Sequence, residues 1–185
     1  DIHPPLARML FSVVAQEADP TYALTPMAPN QDFHNFPYTR LRTFIALFGI
    51  LFPLIIYAIG RTIGYRAPTA LIPALFVIFD NALVLYSRTI LPDTLILVAD
   101  FLGLLFILLA VRATQKNRQL LWVLLGGLFL GAAISIKWTA FGFLGLAVLW
   151  LLAKRFWGYA VILFSVAMCV YVAVFYVNFT LFTQS

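Results

Sequence analysis

Six apolar stretches, residues 41–59, 69–86, 93–111, 120–136, 138–153 and 156–177, occupy most of this chain beyond position 40. A helix needs roughly 17–25 mostly apolar residues to cross a bilayer. Lipid satisfies no backbone N–H or C=O, so a spanning segment must be a helix or part of a closed barrel. The lengths here are those of helices. The chain is therefore read as all-α: a polytopic membrane protein with about six transmembrane helices. Composition agrees, with 63% of the residues hydrophobic and 10% charged, against about 25% charged in a soluble domain. The fourth and fifth stretches are short and meet at Ile136-Lys137-Trp138, which reads as a tight helical hairpin, with a re-entrant pair as the alternative. Pro53 and Pro73 fall inside spans, where neighbouring helices tolerate them as kinks. Gly126, Gly127 and Gly131 offer a small-residue packing face, since 127 and 131 are four apart.

Residues 1–40 are too polar to span. Leu6, Met9, Leu10, Val13 and Val14 follow the i, i+3, i+4, i+7, i+8 pattern of an amphipathic helix. Pro4 and Pro5 suit its first turn, where a missing N–H costs nothing. Such a helix of about ten residues lies in the interface plane. Pro20, Pro26, Pro29, Asn30 and Pro37 mark the following segment as an ordered loop. The expected division is an outer-face segment with an interfacial helix, 1–40, and a transmembrane domain, 41–185. With no initiator Met and no signal peptide, the chain reads as a fragment of a longer protein. The single cysteine, Cys169, excludes an internal disulfide.

Charge gives the orientation. Arg61, Arg66, Arg112, Lys116, Arg118, Lys154 and Arg155 fill alternate loops, which hold seven of the twelve basic residues and none of the seven acids. The positive-inside rule makes those loops cytoplasmic. The net charge of +5 is thus mostly topology, and no nucleic-acid partner is expected. The opposite, outer face carries residues 1–40, the turn from Arg88 to Asp93, Lys137 and the tail after Asn178.

Ionisable groups at a membrane boundary are costly and call for pairing or function. Arg88 and Asp93 bracket a turn in which Pro92 disfavours helix at Leu91 and leaves Asp93 placed to cap the next helix. They read either as a snorkelling arginine and a capping aspartate, or as a guanidinium whose planar fork suits phosphate, set beside a carboxylate. Asp80 and Asp100 lie six or seven residues inside their helices, about 10 Å deep at 1.5 Å per residue. A salt bridge of either with Lys137 is the structural alternative to a catalytic role. His3, at the start of the interfacial helix, is either a loop residue or an anion donor at a helix N-terminus. Arg40 and Arg42 lie at the outer mouth of the first span and reach headgroups or the same anion. His3 and His34 lack metal-ligand spacing, so no metal site or other cofactor is assigned, and dependence on a divalent metal stays open. Asn178-Phe179-Thr180 fits a glycosylation sequon.

Taken together, DIHPPL, FPYTRLRTFIALFGILFPLIIYAIGR, FDNALVLYSRTILPD, GLFLGAAISIKW and NFTLFTQS, in this order over nearly all 185 residues, resemble the protein O-mannosyltransferases and their bacterial relatives. The resemblance implies a GT-C fold and transfer of a sugar, mannose in that family, from a polyprenyl- or dolichyl-phosphate carrier to a Ser/Thr hydroxyl of a protein. It implies integral location in a bacterial plasma membrane or the endoplasmic reticulum, with the site on the outer or lumenal face. The family's Asp-x-His-Pro-Pro motif matches Asp1, His3, Pro4 and Pro5, toward the lipid phosphate. Its second-span arginine matches Arg42. Its acid-Asn pair matches Asp80 and Asn81, its Ser-Arg…Asp turn matches Ser87, Arg88 and Asp93, and its Lys-Trp pair matches Lys137 and Trp138. The resemblance makes Arg88 and Asp93 supporting catalytic groups and sets the family's catalytic Asp-Glu pair upstream of Asp1. Asn178 departs from the His that the family carries before Phe. The donor lipid, a protein or peptide acceptor and membrane lipid are the implied partners, with the oligomeric state open. Alternative readings are a GT-C transferase for another lipid-linked sugar or a lipid acceptor, and a transporter or membrane scaffold. Transporters place ionisable groups near the midplane of repeated halves, whereas no repeat is visible here.

Overall fold

A computed structural model describes residues 4–18 and 38–182. The described elements are helical: α1 (Leu6–Ala18), α2 (Tyr38–Ile63), α3 (Ala67–Phe79), α4 (Asn81–Arg88), α5 (Asp93–Arg112), α6 (Lys116–Ile134), a 3₁₀ turn (Trp138–Ala140), α7 (Phe141–Ala153) and α8 (Trp157–Phe182). Four of them, α2, α5, α6 and α8, are long and apolar enough to cross a membrane. At 1.5 Å per residue, the 20 residues of α5 reach about 30 Å, the thickness of a bilayer core. The expected second span is a broken one, because α3 and α4 meet at 60°. The expected fifth is the shorter apolar segment Trp138–Ala153. Lys137 at its start is extended and turns the chain, but α7 packs chiefly on α8 and hardly on α6, so the tight hairpin read from Ile136-Lys137-Trp138 does not form.

The break has a local cause. Asp80 leaves the helix with φ −72° and ψ 115°, and its Oδ1 accepts the Leu83 N–H at 2.8 Å. A short acidic side chain competes with the helix for backbone donors and is far more at home capping than in a helix interior. Asp80 is thus not inside a span, as a continuous second helix would have it. It is the exposed N-cap of α4.

The bundle is organised around α5, which packs on α6 and α2, while α6 packs on α8. Small residues set the spacing. A Cβ at Gly103 of α5 would lie 2.6 Å from Leu130 Cγ of α6, and one at Gly131 would lie 2.8 Å from the Ala167 carbonyl oxygen of α8. Only glycine lets these backbones come so close. The α6 face read from Gly126, Gly127 and Gly131 is therefore split, with Gly126 against α5 and the other two against α8.

The basic loops gather at one end. Arg112 Nη2 lies beside Gly64, and Tyr159 at the start of α8 donates from its hydroxyl to Gln119 of α6 at 3.0 Å. At the other end the Leu6 N–H donates to the Ser135 carbonyl at 3.0 Å, with Pro4 and Pro5 buried. That anchor rotates α1 away from the stripe expected from its apolar period. Leu6, Ala7, Leu10 and Phe11 meet the core, whereas Val13 is 54% exposed.

Candidate functional site

The candidate groups lie around the short helix α4, at the end of the bundle opposite the basic loops. The 60° bend between α3 and α4 leaves a cavity on each side of α4. The first, of about 470 Å³, runs between α2, α3, α4 and α5 and is walled by Ile50, Phe52, Leu54, Val77 and Ile78, with Ser87, Arg88 and Thr94 as its polar groups. The second, of about 300 Å³, lies between α4, α5 and the segment 139–143. It is lined by Tyr86, Asp93, Ile96, Asp100, Thr139 and Phe143. Leu83 and Leu97 border both.

The two cavities differ in charge. Arg88, in the last turn of α4, gives the first a cation at the end of an apolar groove. Asp93 and Asp100 give the second two carboxylates, seven positions apart and so almost in phase on α5. Asp93 is not the cap of α5. Pro92 occupies that position with φ −73° and ψ −9°, and Asp93 is the first helical residue. Its Oδ1 takes the Lys137 Nζ at 3.2 Å, both side chains being one-third exposed. Lys137 is thus paired with Asp93, not with Asp80 or Asp100, because the turn between α6 and α7 holds it beside the first turn of α5. Arg88 and Asp93, neighbours in sequence, face different cavities.

Each cavity also holds a buried oxygen with no hydrogen-bond partner among the described residues. One is Thr94 Oγ1 in the Arg88 groove, and the other is Asp100 Oδ1 in the carboxylate cavity, where Asp100 is 2% exposed. Buried polar atoms are nearly always paired, so each asks for an explanation. Thr94 was invisible to sequence reasoning, since one hydroxyl in a helix carries no hydropathy signal. Tyr86 and Thr139 reach the site only through the fold.

Other expected site residues lie apart. Arg42 is exposed with its guanidinium 5.6 Å from the Tyr38 ring centroid, a cation–π contact at the mouth of α2. Asn81 is exposed in the first turn of α4. Asp1 and His3 lie outside the described residues. Among the described residues no group of three or more His, Cys, Asp or Glu is arranged to hold a metal. Asn178 is buried within α8, and the Thr180 hydroxyl donates to the Val177 carbonyl, which leaves no room for a glycan on the Asn178-Phe179-Thr180 triplet.

Comparison with known proteins gives a consistent result. A family model described as dolichyl-phosphate-mannose-protein mannosyltransferase matches residues 1–183. Dolichyl-phosphate-mannose–protein mannosyltransferase 1 of Schizosaccharomyces pombe is 31% identical over 204 residues, covering 96% of this chain and 22% of that protein. Mannosyltransferase 4 of Candida albicans is 29% identical, covering 100% and 28%. The solved Saccharomyces cerevisiae protein O-mannosyltransferase Pmt1-Pmt2 complex bound to the sugar donor matches with a TM-score of 0.84 and 25% identity, over 97% of this chain and 27% of the matched chain. The chain spans about a fifth to just over a quarter of the relatives it matches. With the family match running almost end to end and an all-α, multi-pass membrane bundle that follows a solved relative closely, the chain belongs to the dolichyl-phosphate-mannose-protein mannosyltransferase family.

Proposed function

We propose that this chain supplies the donor-lipid side of a membrane glycosyltransferase. The enzyme transfers mannose from a dolichyl or polyprenyl phosphate to a Ser or Thr hydroxyl of a protein, with inversion. The observation that carries the reading is the Arg88 groove: a 470 Å³ apolar channel between helices that ends at a guanidinium. An isoprenoid chain matches the apolar walls, and a phosphate matches the planar donor fork of arginine.

In the reaction the acceptor oxygen attacks C1 of the sugar from the face opposite the phosphate. The C1–O bond breaks, and its electron pair leaves on the phosphate oxygen. Arg88 stabilises that growing negative charge, the kind of preorganised electrostatic help that usually dominates such steps. Lys137 is a further cation at this end of the bundle, paired with Asp93. Arg42, stacked on Tyr38, serves lipid headgroups at the mouth, and His3 and Asp1 lie toward the phosphate by the family match. The carboxylate that takes the acceptor's proton is expected, from the family resemblance, N-terminal to Asp1. The site faces the lumen or the exterior, because the opposite end carries the basic loops.

The test is transfer of radiolabelled mannose from polyprenyl phosphate to a Ser/Thr peptide by the full-length protein in proteoliposomes. The 185 residues alone are expected to bind donor without transferring, because the carboxylate base is expected upstream. Mannosylated peptide of inverted anomeric configuration is the expected product. Absence of transfer from dolichyl and polyprenyl carriers alike overturns the reading. Sidedness is checked with single cysteines at positions 64 and 117 in a Cys169→Ser background, both expected to resist an impermeant reagent added at the site face.

A further inference from the structure

The turn between α7 and α8, at the basic end of the bundle, carries a cation that neither cavity around α4 uses. Lys154 closes α7, and the next two N–H groups fold back on it. Arg155 donates to the Leu152 carbonyl and Phe156 to the Leu151 carbonyl, both at 2.9 Å. In this helix-ending pattern the left-handed residue is usually glycine. Here it is Arg155, with φ 62°, and among the described residues no other non-glycine has a positive φ. A Cβ is disfavoured in that conformation. Topology does not require it, because Lys154 already gives the loop a cation. Strain kept at one residue points to a role for its side chain.

That side chain borders a hollow. Arg155, Phe156, Trp157, Gly158, Tyr159 and Ile162 line an open space of about 320 Å³. Its aromatic wall is fixed, since the Tyr159 hydroxyl is tied to Gln119 and its ring centroid lies 5.9 Å from that of Phe156. A Cβ at Gly158 would meet no atom within 4 Å, so packing does not demand glycine there. Arg61, in another basic loop, donates to the Tyr65 carbonyl. Lys154 and Arg155 are exposed, and residues 101–185 contain no Asp or Glu, so α6, α7 and α8 offer them no carboxylate. Past the hollow, Trp157, Val161 and Phe164 are exposed at helical spacing, an apolar stripe running down α8.

A guanidinium, then an aromatic collar, then an apolar stripe is the order of a phospholipid entering a bilayer: phosphate, glycerol, acyl chain. Aromatic rings favour the headgroup level, and basic pockets beside membrane helices suit anionic headgroups. A free anion would use the cation and leave the stripe without a purpose. We infer that the hollow at the α7–α8 turn is a site for an anionic phospholipid of the leaflet on the basic side. Its phosphate meets Arg155, and one acyl chain follows Trp157, Val161 and Phe164. The site is independent of the donor reading, since it lies at the opposite end of the bundle and takes a different lipid.

The experiment uses the whole protein in nanodiscs of phosphatidylcholine, with and without phosphatidylglycerol of the same acyl chains. The parent should melt at a higher temperature when phosphatidylglycerol is present. Arg155→Gly should melt above the parent in phosphatidylcholine alone, because glycine relieves the left-handed residue, and should gain far less from phosphatidylglycerol. Native mass spectrometry of phosphatidylglycerol binding gives the second readout. Arg155→Gly should weaken the tightest-bound phosphatidylglycerol by about tenfold or more, the scale of lost hydrogen bonds to a charged group. Arg118→Gln, an exposed cation in the first turn of α6, should stay within about twofold of the parent. Equal gains from phosphatidylglycerol in the parent and Arg155→Gly, or an equal loss in Arg118→Gln, would show diffuse attraction and overturn the site. Inorganic phosphate that raises the parent's melting temperature as much as phosphatidylglycerol does would make the ligand a free anion and overturn it too. Arg155→Gly that melts below the parent in phosphatidylcholine would make the arginine a structural part of the turn, against the inference.

Discussion

The α5–α6–α8 core and the α3–α4 limb use the same device to opposite effect. In both, glycine brings one helix against another. In the core Gly103 and Gly126 meet buried side chains and Gly131 meets the Ala167 Cα and carbonyl, and Ile107, Leu130 and Leu163 are sealed from outside. The limb lies against α2, with Gly60 on Ala70 and Gly49 on Ser87, and Val77 and Leu83 pack on Phe52, Ile55 and Val98. Elsewhere it presents Phe76 and Phe79 outward, the latter 80% exposed, and α4 buries no residue. In a membrane such outward apolar surface faces lipid and is not a fault, but it contributes no packing that would hold the limb still. Asp93 and Asp100 therefore ride on the rigid core while Arg88 rides on the limb. A displacement of α4 would change the distance between the cation and the carboxylates.

If that contrast holds, the largest effect on activity should come from the limb with little effect on stability. Arg88→Ala is expected to lower turnover by about 100-fold or more, the 2.7–4 kcal/mol typical of one lost preorganised donor. Its melting temperature should be unchanged, because Arg88 is exposed at the end of α4. Arg88→Lys should rescue poorly, since a point charge does not reproduce a bidentate fork. Kinetics and thermal unfolding on the same nanodisc preparation check both halves. A fall in stability that tracks the loss of turnover would make Arg88 a structural residue and erase the contrast.

The core should show the reverse. Gly131→Ala forces a Cβ to within 2.8 Å of a backbone carbonyl that cannot step aside, and overpacking of this kind costs about 1–3 kcal/mol. Gly49→Ala meets Ser87 Cβ at 2.5 Å, a worse clash on paper. It should nevertheless lower the melting temperature less, because the loosely held α4 can swing away, and it should lower turnover by displacing Arg88. Equal melting shifts in the two variants would show that limb and core are equally rigid.

The core was far more legible than the limb before the fold was seen. Lipid forces apolar segments into helices of bilayer length, so the long spans, and the basic loops at one end, follow from counting residues. Gly127 and Gly131 announce a close contact by spacing alone. The limb defeats the same reasoning because a hydropathy average treats Asp80-Asn81 as a blemish in one span, when the acid is a cap that splits it. The pairing of Lys137 with Asp93 spans 44 positions, and only the relative placement of the α6–α7 turn and α5 decides which of three acids it meets. Arg88 stood out because charge is rare in such a chain. Thr94 did not, and neither did the difference between Asp93, held by a cation, and Asp100, held by nothing described.

A smaller effect should separate the hinge of the limb from its contacts with α2. Asp80 accepts the Leu83 N–H, and removal of such a cap costs about 0.5–2 kcal/mol. Asp80→Ala should fray α4 and raise amide exchange at Leu83 and Val84, with α5 and α6 unaffected. Asp80→Asn, an equally good cap, should behave as the parent. Protection lost across the core as well would mean that limb and core unfold as one unit.

The smallest effect is expected at the seam itself. Lys137 and Asp93 are one-third exposed and 3.2 Å apart, and pairs with this much solvent contribute about 0–1 kcal/mol once screening and side-chain ordering are included. A double-mutant cycle of Lys137→Met and Asp93→Asn should therefore give a stability coupling at or below about 0.5 kcal/mol. Turnover should behave differently. If Asp93 acts by holding Lys137 toward the donor, Asp93→Asn should slow the enzyme when Lys137 is present and add nothing once Lys137 is Met. A measured stability coupling of about 2 kcal/mol or more would instead make the pair a clamp between the α6–α7 turn and α5. The seam would then belong to the rigid core, and the mobile side of the site would shrink to Arg88 and the helix that carries it.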